Sequence, residues 1–130
     1  MSSIRVSVGL FAVENFYGGD LLSLVKVSQL AEAVGIDQIV LTDHVVMGAR
    51  VDRYPYGDFP VPPATPWLEP MLTMATIAGA TKKIRLSTSI VIAPLRPAVL
   101  LAKQAASLDA LSNRENCTSL SIQSADCSRR

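Results

Sequence analysis

The stretch Gln38-Ile39-Val40-Leu41-Thr42-Asp43-His44 constrains the fold more than any other part of the chain. A short apolar run ends abruptly in an acid and the only histidine. A run of this length reads as a strand buried on both faces, the kind found in parallel sheets. In such folds the carboxyl ends of the strands floor the active site. Thr42, Asp43 and His44 are thereby placed where α/β enzymes carry out chemistry.

The flanking sequence completes a βα pattern. Ile4, Val6, Val8 and Leu10 alternate with Arg5, Ser7 and Gly9, which suits a first strand. Asp20 follows Gly18-Gly19 and suits a helix N-cap. From Leu21 to Val34 the apolar residues fall at helical spacing, and Gly35 stands where a helix closes. A second helix is expected over about Trp67 to Thr81, with Leu68, Met71, Leu72, Ala75 and Ala78 on its apolar face. Pro66 and Pro70 fit only near its first turn. Ile84 to Ala93 reads as a third strand that Pro94 stops. Pro97 opens a third helix with Leu101, Ala105, Leu108 and Leu111 on one stripe. The order βα-βα-βα implies a parallel sheet with right-handed crossovers.

The seven aromatic residues lie between strands and the helices that follow them: Phe11, Phe16 and Tyr17 after the first strand, Tyr54, Tyr56 and Phe59 in the connection after the second, and Trp67 at the start of the next helix. Strand-to-helix connections emerge on one face of a parallel sheet, so the rings are expected to gather there. Rings over a polar strand-end cluster describe the lining of a pocket for a flat or apolar ligand. The other reading is that they plug the top of the fold. The connection from Val45 to Pro66 is about 22 residues long, against the usual 2–6. Five prolines stiffen it, and Gly57-Asp58 marks a turn within it.

Composition narrows the function classes. The chain has 130 residues, 49% of them hydrophobic and 18% charged, with a formal net charge of +1. That fits one folded domain with a modest core. It gives no electrostatic footprint for nucleic acid or an anionic membrane. No apolar run approaches a membrane span, the start lacks a signal-peptide layout, and a cytoplasmic location is expected. There is no G-x-G-x-x-G after the first strand, no P-loop and no G-x-S-x-G elbow. One histidine with no cysteine near it argues against a zinc site.

Several motifs together carry a resemblance. They are Ile4-Arg5-Val6-Ser7-Val8-Gly9-Leu10, Ala33-Val34-Gly35-Ile36-Asp37 followed by Val40-Leu41-Thr42-Asp43-His44, Pro66-Trp67-Leu68-Glu69-Pro70, and above all the run Ile84 to Pro97. Lys103 and Ser107-Leu108-Asp109-Ala110-Leu111-Ser112 continue them. In this order they resemble the bacterial luciferase-like family of flavin- and deazaflavin-dependent oxidoreductases, and most of all its actinobacterial deazaflavin-type branch. The resemblance implies an α/β fold: part of a (β/α)8 TIM barrel, about three βα units with parallel strands. It implies FMN or the deazaflavin coenzyme F-420 at the carboxyl end of the barrel, and a small organic substrate. His44 matches a family histidine at the reactive face of the cofactor, able to donate to the ring or relay a proton. The alternative for His44 is a partly exposed polar strand terminus. Asp43 would orient that imidazole or contact the ring edge, or else serve as a helix or turn cap. Thr88, Ser89 and Ile90 would meet the ring, with a non-proline cis bond at Ser89–Ile90, against the alternative of an ordinary trans bond. Val45-Val46-Met47-Gly48 follows the histidine without the tryptophan of some deazaflavin enzymes, which speaks against a sugar-phosphate dehydrogenase role.

The sequence changes character near Asn113. Ser112-Asn113-Arg114 lacks the family's glycine, and the serine-rich remainder carries both cysteines, Cys117 and Cys127. Residues 1–113 are read as the N-terminal part of the barrel. Residues 114–130 are read as an unrelated, irregular tail produced by truncation or a frameshift, its cysteines unpaired in a reducing cytosol. Three units cannot close a barrel, so the first and third strands would be open edges. The phosphate loops after strands seven and eight would be missing, so cofactor binding by this polypeptide should be weak or absent, with little turnover. Two functions follow: a luciferase-like oxidoreductase impaired by truncation, or a non-catalytic fragment that forms a homo-oligomer through its open edges.

Overall fold

Every described helix follows a strand, in the order that the hydrophobic pattern demands: β1 (Ser7–Leu10), α1 (Ser23–Ala33), β2 (Gln38–Leu41), α2 (Pro70–Ala78), β3 (Arg85–Val91), α3 (Ala98–Leu111) and a fourth strand, β4 (Ser119–Ile122). The computed structural model describes residues 4–45, 48 and 50–112, and the backbone of 119–122. Short 3-10 turns lie at Val13–Phe16, Val51–Arg53 and Ala93–Leu95. All four strands are parallel and lie in sequence order. This is the α/β arrangement expected of a partial barrel.

Register explains which side of the sheet carries the core. Val8, Ile39 and Leu86 stand side by side, as do Leu10, Leu41 and Thr88. Strand side chains alternate with period two, so these six share one face. It is the face covered by the helices: Leu24 and Ala31 of α1, Met71, Met74 and Ile77 of α2, and Leu101 and Leu108 of α3 join the same core. Met74 and Ile77 are fully buried, each contributing about 2–3 kcal/mol by leaving water. The opposite face carries Ser7, Gly9, Gln38, Val40, Arg85 and Ser87. Burial in β2 therefore alternates, with Ile39 and Leu41 buried and Gln38 and Val40 half-buried. The expectation of a strand buried on both faces is corrected, because in an open sheet the side away from the helices keeps contact with solvent.

Local chemistry sets the element ends. Gly35 (φ 83°) closes α1. Its N–H donates to the Glu32 carbonyl and that of Ile36 to the Ala31 carbonyl, the paired bonds of a Schellman motif. Asp37 then laces three strands at their lower ends. Its Oδ2 accepts from Val6 N–H at 2.8 Å and its carbonyl accepts from Arg85 N–H at 3.0 Å. The N-cap expected at Asp20 is corrected: α1 begins at Ser23 with Leu22 in the cap position and no side-chain cap bond, and Asp20 instead accepts from Leu22 N–H in the turn before the helix at 3.0 Å. Pro70 occupies the first turn of α2, and Glu69 accepts from Leu72 N–H at 2.8 Å.

Two corrections concern β3 and its neighbours. The segment 114–130 was expected to be irregular throughout, yet Ser119–Ile122 pairs with β3. The alternation Ser-Leu-Ser-Ile is a strand pattern that a serine-rich composition conceals. β3 is consequently an inner strand, and the edges among the described residues are β1 and β4. Asn113 and both cysteines lie outside the described residues. The Ser89–Ile90 peptide bond is cis, as the resemblance implies.

Candidate active site at the strand ends

Beyond Leu41 the chain leaves the ladder and presents Thr42 outward, Asp43 inward and His44 half-buried. Asp43 is engaged by a residue that the sequence left without a role. Its carboxylate accepts from both terminal nitrogens of Arg96, one of them at 3.1 Å, and from Ile92 N–H at 2.8 Å. The Asp43 side chain is 2% exposed and that of Arg96 12%. Arg96 also donates to Glu69 Oε1 at 3.0 Å. One guanidinium thus ties the end of β2 to the chain after β3 and to the start of α2. The Asp43 hydrogen bond holds Arg96 above its ordinary pKa against the opposing effect of burial, and Glu69 adds to the rise.

The described hydrogen bonds of the Asp43 carboxylate go to Arg96 and Ile92, and none to His44 is among them. His44 is held instead by Trp67, whose ring centroid lies 4.8 Å away at a tilt of 47°. Trp67 also packs on Phe11 at 5.0 Å. Such ring pairs contribute about 0.5–1.5 kcal/mol each beyond area burial. His44, Trp67, Val45, Leu95 and Arg96 line an open groove of about 250 Å³ on the strand-end face.

The β3 residues divide. Thr88 is fully buried, because it shares the helix-facing side with Leu10 and Leu41. It offers no surface to a cofactor, which corrects the contact expected of it. Ser89 and Ile90 are both exposed. Between Thr88 and Val91 the register against β4 shifts: three steps along β3 match two along β4. That bulge breaks the alternation and turns two consecutive side chains outward, as bulges near active sites do. No side-chain hydrogen bond joins Ser89 to Asp43 or His44 among the described residues.

The aromatic residues do not all gather in one place. Tyr54 packs edge-on against Tyr56 and Phe59 at 5.5 and 5.1 Å, forming a separate cluster in the long connection. Phe16 and Tyr56 are exposed. Sequence reasoning missed Arg96 and Glu69. Arg96 alone had a usable signal: a single cation between Leu95 and Pro97, just past a strand end that lies beside another strand ending in an acid.

The sequence profile of the luciferase-like monooxygenases matches residues 6–113. The chain belongs to the luciferase-like monooxygenase family. Uncharacterised proteins of Mycobacterium tuberculosis and Mycobacterium bovis are 29% identical to it over 96 residues, covering 71% of this chain and 33% of theirs. Two solved structures share the fold of this luciferase-like chain. The monooxygenase RslO1 from Streptomyces bottropensis has a TM-score of 0.66 at 20% identity, over 92% of this chain and 32% of that one. The riboflavin lyase RcaE, solved with modified FMN and its substrate riboflavin, has a TM-score of 0.68 at 23% identity, over 96% and 31%. The chain spans about a third of the length of these relatives. Among the described residues no helix is long and apolar enough to cross a membrane.

Proposed function

We propose that this chain supplies the N-terminal, ring-facing part of a flavin-type oxidoreductase site. Family membership over residues 6–113 carries the reading. The strand-end geometry supports it: His44 lies against Trp67 over an open groove, and the β3 bulge exposes Ser89 and Ile90. These residues fit a flat, partly apolar ring system. When bound, FMN would supply oxygen activation for monooxygenation, or the deazaflavin coenzyme F-420 would supply hydride exchange with a small organic substrate.

The chain's own contributions follow from chemistry on this face. Ser89 offers a hydroxyl and Ile90 an apolar surface to a ring edge. His44, fixed in direction by Trp67, donates to the ring or moves a proton to substrate. Asp43 acts indirectly: with Arg96 it braces the strand end from which His44 projects. The barrel's usual phosphate anchor comes from loops after strands seven and eight, and four strands are described here. We therefore expect weak binding by the 130-residue polypeptide taken alone. Titration with FMN and with the deazaflavin, read by quenching of Trp67 fluorescence, tests this. Saturable quenching above the micromolar range, weakened in His44→Ala, is expected. Absence of quenching at millimolar cofactor would remove the proposal.

A second reading rests on the unpaired outer side of β1. An open parallel edge invites another chain, and the chain would then act as a non-catalytic, self-associating unit.

A further inference from the structure

The two rings of the groove sit on segments that no strand or helix holds. His44 lies three residues beyond Leu41, the end of β2, and Trp67 three before Pro70, the start of α2. Their contact at 4.8 Å therefore depends on what fixes these segments against each other. Asp43 directly precedes His44, and Glu69 follows Trp67 by two positions. One atom reaches both acids: Nη2 of Arg96 donates to Asp43 Oδ1 at 3.1 Å and to Glu69 Oε1 at 3.0 Å. Among the described residues no other hydrogen bond links residues 42–45 to residues 65–69.

Both carboxylates are anchored on their other sides. Asp43 accepts from Ile92 N–H, and Glu69 Oε2 accepts from Leu72 N–H in the first turn of α2. Arg96 is anchored too. Pro97 favours the extended backbone that Arg96 adopts (φ −121°, ψ 135°), and the Arg96 backbone N–H donates to the Ala93 carbonyl at 2.9 Å. Nη1 donates to Asp43 Oδ2 and to the Ile92 carbonyl. The two terminal nitrogens thus have all their hydrogens engaged. A guanidinium offers these donors in one rigid plane, whereas an ammonium is a point charge on a flexible stem. The position therefore calls for arginine rather than for any cation. We propose that Arg96 is a positioning residue: through Nη2 it sets how His44 meets Trp67, and so the shape of the groove. The ring contact is a property of the chain alone. Its bearing on catalysis rests on the function proposed above.

The chain has one histidine and one tryptophan, so each ring gives a single set of signals in NMR spectra. The indole ring current displaces the imidazole proton signals, and Trp67→Leu marks where they stand without it. Two variants of the 130-residue chain break the tie in different ways. Arg96→Lys keeps the charge and loses the planar fork. Glu69→Ser keeps a cap for α2, is too short to reach Arg96, and leaves the buried Asp43–Arg96 pair in place. Both should move the imidazole signals most of the way to their Trp67→Leu positions and remove most of the imidazole–indole Overhauser effect, with the far-ultraviolet circular dichroism unchanged. Titration with FMN keeps the two readings apart. If FMN leaves the parent's ring signals unmoved while the variants still shift theirs, the positioning role stands and the cofactor reading falls. A lower unfolding midpoint with the parent's ring signals retained would make the tie a stabilising ion pair and nothing more, which overturns the proposal. Glu69→Ser decides where Arg96→Lys fails to fold.

Discussion

Asp43 and Glu32 are both acids with several donors, one at each end of the sheet, and each lends itself to a stability test. At the upper end, Arg96→Met would leave the Asp43 carboxylate buried without a cation. Removing one partner of a buried pair costs about 3–5 kcal/mol. The double variant Asp43→Leu/Arg96→Met should recover most of that loss, because two apolar groups leave no orphaned charge. Urea unfolding of the single and double variants measures both, and additive losses would contradict the account. At the lower end, Glu32 Oε1 accepts from the N–H groups of Lys82, Lys83 and Ile84 at 2.8, 2.5 and 2.9 Å. Burial pushes its carboxyl up. The three amide donors outweigh that, with help from the Lys82 charge, and hold it below its ordinary value. A lowered folded-state value means that the stabilisation is complete above the ordinary glutamate range. It is lost as the pH falls through that range to the folded value. Glu32→Gln should therefore cost about 1–2 kcal/mol at neutral pH, with the gap from the parent closing in acid. A gap independent of pH would refute it. The sequence located Asp43 and His44 at a strand end, because an apolar run ending in polar residues is a local signal. It could not pair Asp43 with Arg96, 53 positions away, nor show that Thr88 faces the helices, since both depend on register between strands.

Helix positions were legible from periodicity and caps, while their buried faces were read only in part. In α2 the expected face of Leu68, Met71, Leu72, Ala75 and Ala78 is rotated. The structure buries Met71, Met74 and Ile77 and leaves Leu72 67% exposed. An almost uniformly apolar helix gives a weak moment, so packing against α3 and β3 decides the face rather than the pattern. In α3, Leu101 and Leu108 point inward as expected and Leu111 does not. Terminal chemistry was the more dependable guide. Gly35 sits at φ 83° with nothing within 4 Å of a built Cβ, so a side chain there meets only the backbone penalty. Gly35→Ala should destabilise the chain by about 1 kcal/mol, and Gly35→Asn by less, because asparagine tolerates the left-handed region. Thermal unfolding of the two variants checks the order. Equal stability of Gly35→Ala and the parent would mean that α1 ends differently in solution. β4 escaped notice because composition was weighed over four residues of alternation.

At the scale of the whole molecule, the described residues form a four-stranded parallel sheet with helices on one side and edges at β1 and β4. Parallel sheets are normally covered on both faces, and here the face bearing Ser7, Gly9, Gln38 and Ser87 has no helix upon it among the described residues. The β1 edge is the exposed feature with the clearest consequence, since unpaired backbone groups in a flat strand template the addition of another. The 130-residue chain should therefore sediment as species whose mass rises with concentration. A lysine on an edge strand opposes such pairing. Gly9 suits that substitution: its φ is not positive, and a built Cβ meets nothing within 4 Å. Gly9→Lys should shift association to higher concentration while changing unfolding free energy by no more than about 0.5 kcal/mol, as surface replacements usually do. Sedimentation velocity over a hundredfold concentration range separates the outcomes. A strictly monomeric parent would refute the association, and association indifferent to the lysine would place the contact elsewhere than β1. Association relieved by Gly9→Lys would instead tie self-assembly to the same sheet whose strand ends carry His44 and Ser89. Cofactor affinity should then be measured as a function of protein concentration, because pairing at β1 would also change what surrounds Phe11 and Trp67.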